Sequence, residues 1–226
     1  MNKKQLLIAV CLIVIGAGSA KTYYSNKSPA AVTTFSMPVN KKVIVLDSGH
    51  GGWDPGMVGA DGTREKDINL LITEKLQSYL ELGGSVVLVT READEALGGT
   101  KRQDLSERRN IADEAELLVS IHQNSFSDQS VRGAQAFYYN GSEESKLLAE
   151  CIQEQINTYL CKDNKFIAKA NNNYYLLKKT DVTSVIVECG FLSNPDERRL
   201  LSEEEYQEKI AWAVYMGIVQ YFALND

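Results

Sequence analysis

Histidine is scarce in this chain of 226 residues: only His50 and His122 occur, so any chemistry that needs imidazole must use one or both. The four cysteines, Cys11, Cys151, Cys161 and Cys189, form no C-x-x-C pair and so propose no zinc knuckle. Cys151 and Cys161 fall on one expected helix, where a rise of about 1.5 Å per residue sets them too far apart to bridge. They read as small buried thiols. There is no excess of positive charge: 24 basic residues face 30 acidic ones, for a net charge of −6. That balance excludes binding to nucleic acid or anionic lipid by bulk charge, and an anionic polymer would have to be met by local groups or a bound cation. No internal repeat is present, which excludes a solenoid. The one long apolar run, residues 6–18, is shorter than the ~20 residues that comfortably span a bilayer.

That apolar run follows Lys3 and Lys4 and precedes Gly18-Ser19-Ala20. A basic start, an apolar middle and a small-residue end are the layout of an export signal, so residues 1–20 read as a cleaved signal or, if uncleaved, a membrane anchor. Residues 21–40 are rich in Ser, Thr, Asn and Lys, carry Pro29 and Pro38, and read as a linker. The remainder, residues 41–226, has the length and mixed composition of one domain with one core.

Within that domain, β-branched runs alternate with helical stripes. Strands are expected at 43–47, 85–90, 117–121, 133–139 and 184–188. Helices are expected at 66–82, 104–115, 143–160 and 203–222. Residues 174–177 read as a short strand or turn. The alternation predicts an α/β fold, a three-layer α/β/α sandwich with a mostly parallel, twisted central sheet.

Both histidines end apolar runs. His50 follows Val43-Ile44-Val45-Leu46-Asp47-Ser48-Gly49 and His122 follows Leu117-Leu118-Val119-Ser120-Ile121. In open α/β sheets, ligands collect at the carboxyl ends of strands, so two histidines at two strand ends predict one shared site. Glu65 stands at the start of the first helix and Glu188 at the end of a later strand. Hydrolytic zinc sites use three His or carboxylate ligands and keep a fourth position open, while a separate carboxylate moves protons. On this pattern His50, Glu65 and His122 are candidate metal ligands and Glu188 the candidate catalytic base. Asp47 is expected to orient His50 or Arg91 from behind. Asn124 reads as a turn cap or a substrate contact, Trp53 as a sugar platform or a loop-packing aromatic, and the pair Tyr174-Tyr175 as cleft wall or simple packing. Cys189 adjoins Glu188 but has no histidine to spare as its base.

Four motifs in order carry a resemblance. They are Val45-Leu46-Asp47-Ser48-Gly49-His50-Gly51-Gly52, Glu65-Lys66-Asp67, Val119-Ser120-Ile121-His122-Gln123-Asn124, and Val187-Glu188-Cys189-Gly190-Phe191-Leu192-Ser193-Asn194. From about Lys42 to Phe222 the chain resembles the zinc-dependent N-acetylmuramoyl-L-alanine amidases of the amidase-3 family, and within it the germination-specific type of spore formers. The resemblance implies Zn²⁺ at His50, Glu65 and His122, with Glu188 catalytic, and hydrolysis of the amide between N-acetylmuramic acid and L-alanine in peptidoglycan. It further implies a part in making muramic-δ-lactam in the spore cortex, beside a polysaccharide deacetylase. The place of action would be the outer face of the cytoplasmic membrane, the cell wall or the spore cortex of a Gram-positive bacterium. The alternatives are a general autolysin or cell-separation amidase, another zinc hydrolase such as a peptidase or deacetylase, and a wall-binding module without catalysis. Ser48 stands where the family commonly has proline, and Gln123 where a small or apolar residue is common. Arg108 receives no substrate role.

Overall fold

The computed structural model describes residues 36–160 and 164–225. The expected export signal, the expected linker as far as residue 35, and Cys161 lie outside the described residues. A turn, in which Asn40 N donates to the Met37 carbonyl and Val39 is fully buried, precedes the first strand.

The β-branched residues Val43, Ile44 and Val45 favour a pleated, extended backbone, and they open β1 (Val43–Ser48). The other strands are β2 (Val86–Val89), β3 (Leu117–Asn124), β4 (Gln135–Tyr138), β5 (Lys169–Ala170) and β6 (Thr183–Phe191). They form one sheet in the order β2-β1-β3-β6-β4-β5. Every pairing is parallel except β4 with β6, which is antiparallel.

Parallel strands must be covered on both faces, and β1 displays the two coverings in its alternation. Ile44 and Leu46 join Val119, Ile121, Val185 and Val187 under α1 (Glu65–Leu82), α3 (Glu143–Tyr159) and α6 (Glu204–Asn225). Val45 and Leu118 face the other way, against α2 (Lys101–Ala112) and α4 (Tyr175–Lys179). Each such fully buried aliphatic side chain contributes about 1.5–3 kcal/mol. The result is the expected three-layer α/β architecture, with residues 37–226 clustering as one unit.

Several local features differ from the expectations: β3 and β6 run on to Asn124 and Phe191, and the short β5 is an addition. Helix α2 starts at Lys101, a turn earlier, because the Thr100 hydroxyl accepts from Gln103 N at 3.3 Å and caps it. Residues 175–179 are helical, in a segment too short to display a 3.6-residue period. A further helix, α5 (Pro195–Leu201), begins where Asn194 Oδ1 accepts from both Asp196 N and Glu197 N, with Pro195 in its first turn.

Candidate metal centre and active site

The carboxyl-terminal parts of β1, β3 and β6 meet at one edge of the sheet. β1 ends at Ser48, and the chain then turns sharply through His50, which holds a left-handed φ of 62°. A non-glycine residue at such an angle is strained, and it persists where surrounding contacts over-determine it. β3 carries His122 opposite Glu188 of β6, the two being partners in the parallel register. The register shifts just after His122, and such a bulge re-aims the side chains at a sheet edge. Glu65 is the first residue of α1, where its negative charge meets the positive end of the helix dipole.

Glu65 is the hub. Its Oε1 lies 2.9 Å from His122 Nδ1 and 3.2 Å from His50 Nε2. The same oxygen accepts from Gln123 N at 3.1 Å, and Oε2 accepts from Met57 N at 2.8 Å. The two imidazoles meet edge to face, with centroids 4.9 Å apart. One ligand atom from each of His50, Glu65 and His122 lies within 4.8 Å of the others, so these three residues could hold a metal ion. Room for them depends on glycine: a Cβ on Gly49 would meet the His122 ring at 2.3 Å, and one on Gly56 would meet Glu65 Oε2 at 2.5 Å.

The charges follow this geometry. Burial pushes the Glu65 carboxyl up, but the hydrogen bonds and charges of His122 and His50 outweigh it and hold Glu65 below the usual carboxylate range. Burial pushes His122 down, and its contact with Glu65 reverses that, so the imidazole is raised. Glu188 is raised, first by burial and then by the Glu65 charge, against the opposing pull of His122, Tyr174 and His50. Its Oε1 accepts from the Tyr174 hydroxyl at 3.1 Å. Its Oε2 is buried and has no hydrogen-bond partner among the described residues.

Behind this cluster lies a second buried polar group, partnered differently from the expectation. Asp47 is bonded to neither His50 nor Arg91: its carboxylate accepts from Arg108 Nη1 at 2.7 Å, Thr90 Oγ1 at 2.8 Å and Ser120 Oγ at 2.5 Å. Arg108 reaches it across 61 positions of sequence, and also donates to Asp104 and to the carbonyls of Ser48 and His50. Arg91 donates to the carbonyls of Ser48, Gly49 and Lys66. Together the two guanidinium groups hold the backbone on which His50 sits. The carboxylate that approaches His50 is Asp54, with Oδ2 2.9 Å from Nδ1. A carboxylate on the far nitrogen of a ligand histidine fixes its ring orientation. The available signal was the spacing of four residues within the glycine-rich loop.

His50, Glu65, His122 and Glu188 line one cleft of about 440 Å³. Its walls include Lys101 and Leu105 on one side and Asn173, Tyr174 and Tyr175 on the other. Asn124 also lines it, while its Oδ1 accepts from Ser125 N at 2.8 Å as a turn cap. Trp53 is half exposed and donates from Nε1 to the Gly98 carbonyl. Cys189 is buried, and burial together with the Glu188 charge raises its thiol, as expected for an inert one.

Known proteins match this chain over nearly all of the described unit. The germination-specific N-acetylmuramoyl-L-alanine amidase of Bacillus subtilis (strain 168) is 38% identical, over 83% of this chain and 83% of its own. The amidase AmiA of Escherichia coli (strain K12) is 27% identical, over 82% of this chain and 78% of its own. Among solved structures, the CwlD amidase from Clostridioides difficile, determined in complex with the GerS lipoprotein, superposes with a TM-score of 0.76 at 44% identity. That match covers 81% of this chain and all of the other. The family model described as N-acetylmuramoyl-L-alanine amidase spans residues 44–220. The chain belongs to the amidase-3 family of N-acetylmuramoyl-L-alanine amidases, enzymes of peptidoglycan hydrolysis.

Proposed function

We propose that this amidase works with a single Zn²⁺ held by His50, Glu65 and His122, that Glu188 carries the proton, and that the substrate is spore cortex peptidoglycan. The observation that supports the site reading is the pairing of three donor atoms within 4.8 Å with a buried, partner-free Glu188 oxygen in the same cleft. Two imidazole nitrogens and one carboxylate oxygen are a donor set that hydrolytic zinc takes while keeping one position open.

When bound, zinc supplies a Lewis acid that polarises the amide carbonyl and brings the pKa of an adjacent water down to roughly 7. The chain's own residues do the rest. Glu188 Oε2 takes a proton from the water that attacks the lactyl carbonyl and delivers it to the L-alanine nitrogen as the C–N bond breaks. The products are a muramic acid carboxylate on the glycan and a stem peptide with a free amino end. Burial and the neighbouring Glu65 charge raise Glu188, which suits a group that must hold a proton between two transfers. Asp54 holds the His50 ring from its far side, and the Glu65 bonds to Met57 N and Gln123 N keep the carboxylate from swinging.

The cortex assignment rests on the likeness to the germination-specific enzyme of B. subtilis. On that reading, removing the stem peptide prepares the glycan for muramic-δ-lactam formation, and a polysaccharide deacetylase completes the chemistry. Action on the wall requires export, for which residues 1–20 supply the signal or anchor; no helix among the described residues is long and apolar enough to cross a membrane.

Mass spectrometry of cortex peptidoglycan treated with the zinc-loaded enzyme tests the reaction. The expected product is a peptide beginning with free L-alanine. Cleavage of a different bond would overturn it, and normal muramic-δ-lactam in a deletion strain would overturn the cortex role.

A further inference from the structure

We infer that Tyr174 is a positioning residue for Glu188: its hydroxyl fixes Oε1 and thereby reserves Oε2 for the proton that moves during hydrolysis. The inference rests on the reading of Glu188 as proton carrier and names a residue that acts through it.

Glu188 sits inside β6, hydrogen-bonded into the sheet between β3 and β4, so its backbone is fixed. Its carboxylate is not fixed by that. Rotation about the terminal torsion of glutamate is broad and nearly two-fold, so without a directed bond the two oxygens would exchange places. One directed bond is present. The Tyr174 hydroxyl lies 3.1 Å from Oε1, and since an ionised carboxylate only accepts, the phenol is the donor. The other oxygen, Oε2, is buried without a partner among the described residues. The two oxygens are therefore inequivalent: one is committed and one is available.

Tyr174 is built to hold its own place. Its ring stands edge to face against Phe137, with centroids 5.6 Å apart and planes at 84°. Its backbone N donates to Asn171 Oδ1 at 3.2 Å, and its carbonyl accepts from Lys178 N at 3.1 Å to open α4. Leu176 and Leu177, next in sequence, are buried and anchor that helix on the sheet. Burial and the Glu188 charge also push the phenol up from its ordinary value, which keeps it a donor. A tyrosine that only filled the cleft wall would need the ring but not the hydroxyl.

The test is Tyr174→Phe in the zinc-loaded full-length enzyme, assayed on a soluble muramoyl-peptide fragment. The ring and its packing on Phe137 remain, so melting temperature and zinc content should be unchanged. The expected result is a kcat about 10- to 100-fold lower, the range for one hydrogen bond to a charged group, with KM within about 2-fold. In a Glu188→Gln background, Tyr174→Phe should cost little further residual rate. A kcat within about 2-fold of the parent, a loss carried by KM, or a full additional loss in the Glu188→Gln background would each overturn the inference. Glu188→Gln alone separates the two claims: if that variant stays active, the proton-carrier reading falls whatever Tyr174→Phe does.

Discussion

Two groups of ionisable side chains lie one behind the other at the carboxyl edge of the sheet, and they are balanced differently. In the Asp47, Asp104 and Arg108 group the guanidinium makes five hydrogen bonds, and both Asp47 oxygens are occupied. In the group formed by His50, Glu65, His122 and Glu188, two carboxylates share one cleft, both histidines converge on a single oxygen, and Glu188 Oε2 has no partner among the described residues. Burying an ionised group is costly unless it is paired and hydrogen-bonded. The complete network is scaffolding that holds the His50 loop; the incomplete one is where, on the proposed function, a cation and a substrate complete the balance. Substitutions in the first should act on stability, and those in the second on activity and metal content.

The largest expected effect is at Glu188. Glu188→Gln should lower kcat by about 1,000-fold, within the range for loss of a general acid–base group, and leave melting temperature and zinc content intact. His122→Ala should follow closely, since it removes one of three ligands: zinc should fall well below one per chain by elemental analysis, with activity falling in proportion. Asp47→Ala tests the other side of the comparison. It leaves Arg108 buried with one charge partner lost, which costs about 3–5 kcal/mol. For a domain of this size that lowers the midpoint by roughly 10 °C in a calorimetric melt.

Acid should sharpen the contrast. The Asp47 carboxyl is held below its usual range by the Arg108 charge and the Ser120 hydrogen bond, which outweigh the burial that raises it. A carboxyl lowered on folding contributes stability that is fully present above its unfolded pKa of about 3.9 and is lost as pH falls through the folded value. Near neutral pH the Asp47 contribution is therefore full and does not vary with pH, and denaturant midpoints should fall as its carboxylate is protonated below about pH 4. In Asp47→Asn that part of the acid dependence should disappear. The smallest effect should be at Ser48, whose buried Oγ has no partner among the described residues. Ser48→Ala removes that unpaired hydroxyl and should leave stability unchanged or raise it by up to about 1 kcal/mol by chemical denaturation.

The same comparison explains what the sequence could tell. His50 and the helix-starting Glu65 were legible because each sits at a boundary that local pattern marks: a β-branched run giving way to glycine, and polar residues leading into an apolar stripe. His122 was legible from the apolar run before it, although β3 continues past it to Asn124. The scaffold was not legible. The sequence places Asp47 beside His50 or Arg91, whereas its partner Arg108 lies far along the chain and meets it only because β1 packs against α2. Tyr174 appeared as one aromatic of a pair, and nothing near it in sequence points to Glu188; their contact depends on the short helix α4 lying beside β6. The antiparallel pairing of β4 with β6 likewise depends on the sheet order and not on the composition of either strand.

The central claim is that one cluster holds the metal while a neighbouring carboxylate moves the proton. It is tested most directly by measuring zinc stoichiometry and peptide release on the same preparation of Glu188→Gln. The account predicts about one zinc per chain and release of the peptide beginning with free L-alanine about 1,000-fold slower than in the parent. Peptide release near the parent rate would contradict it, and so would loss of zinc together with loss of activity, which would make Glu188 a ligand and not the proton carrier.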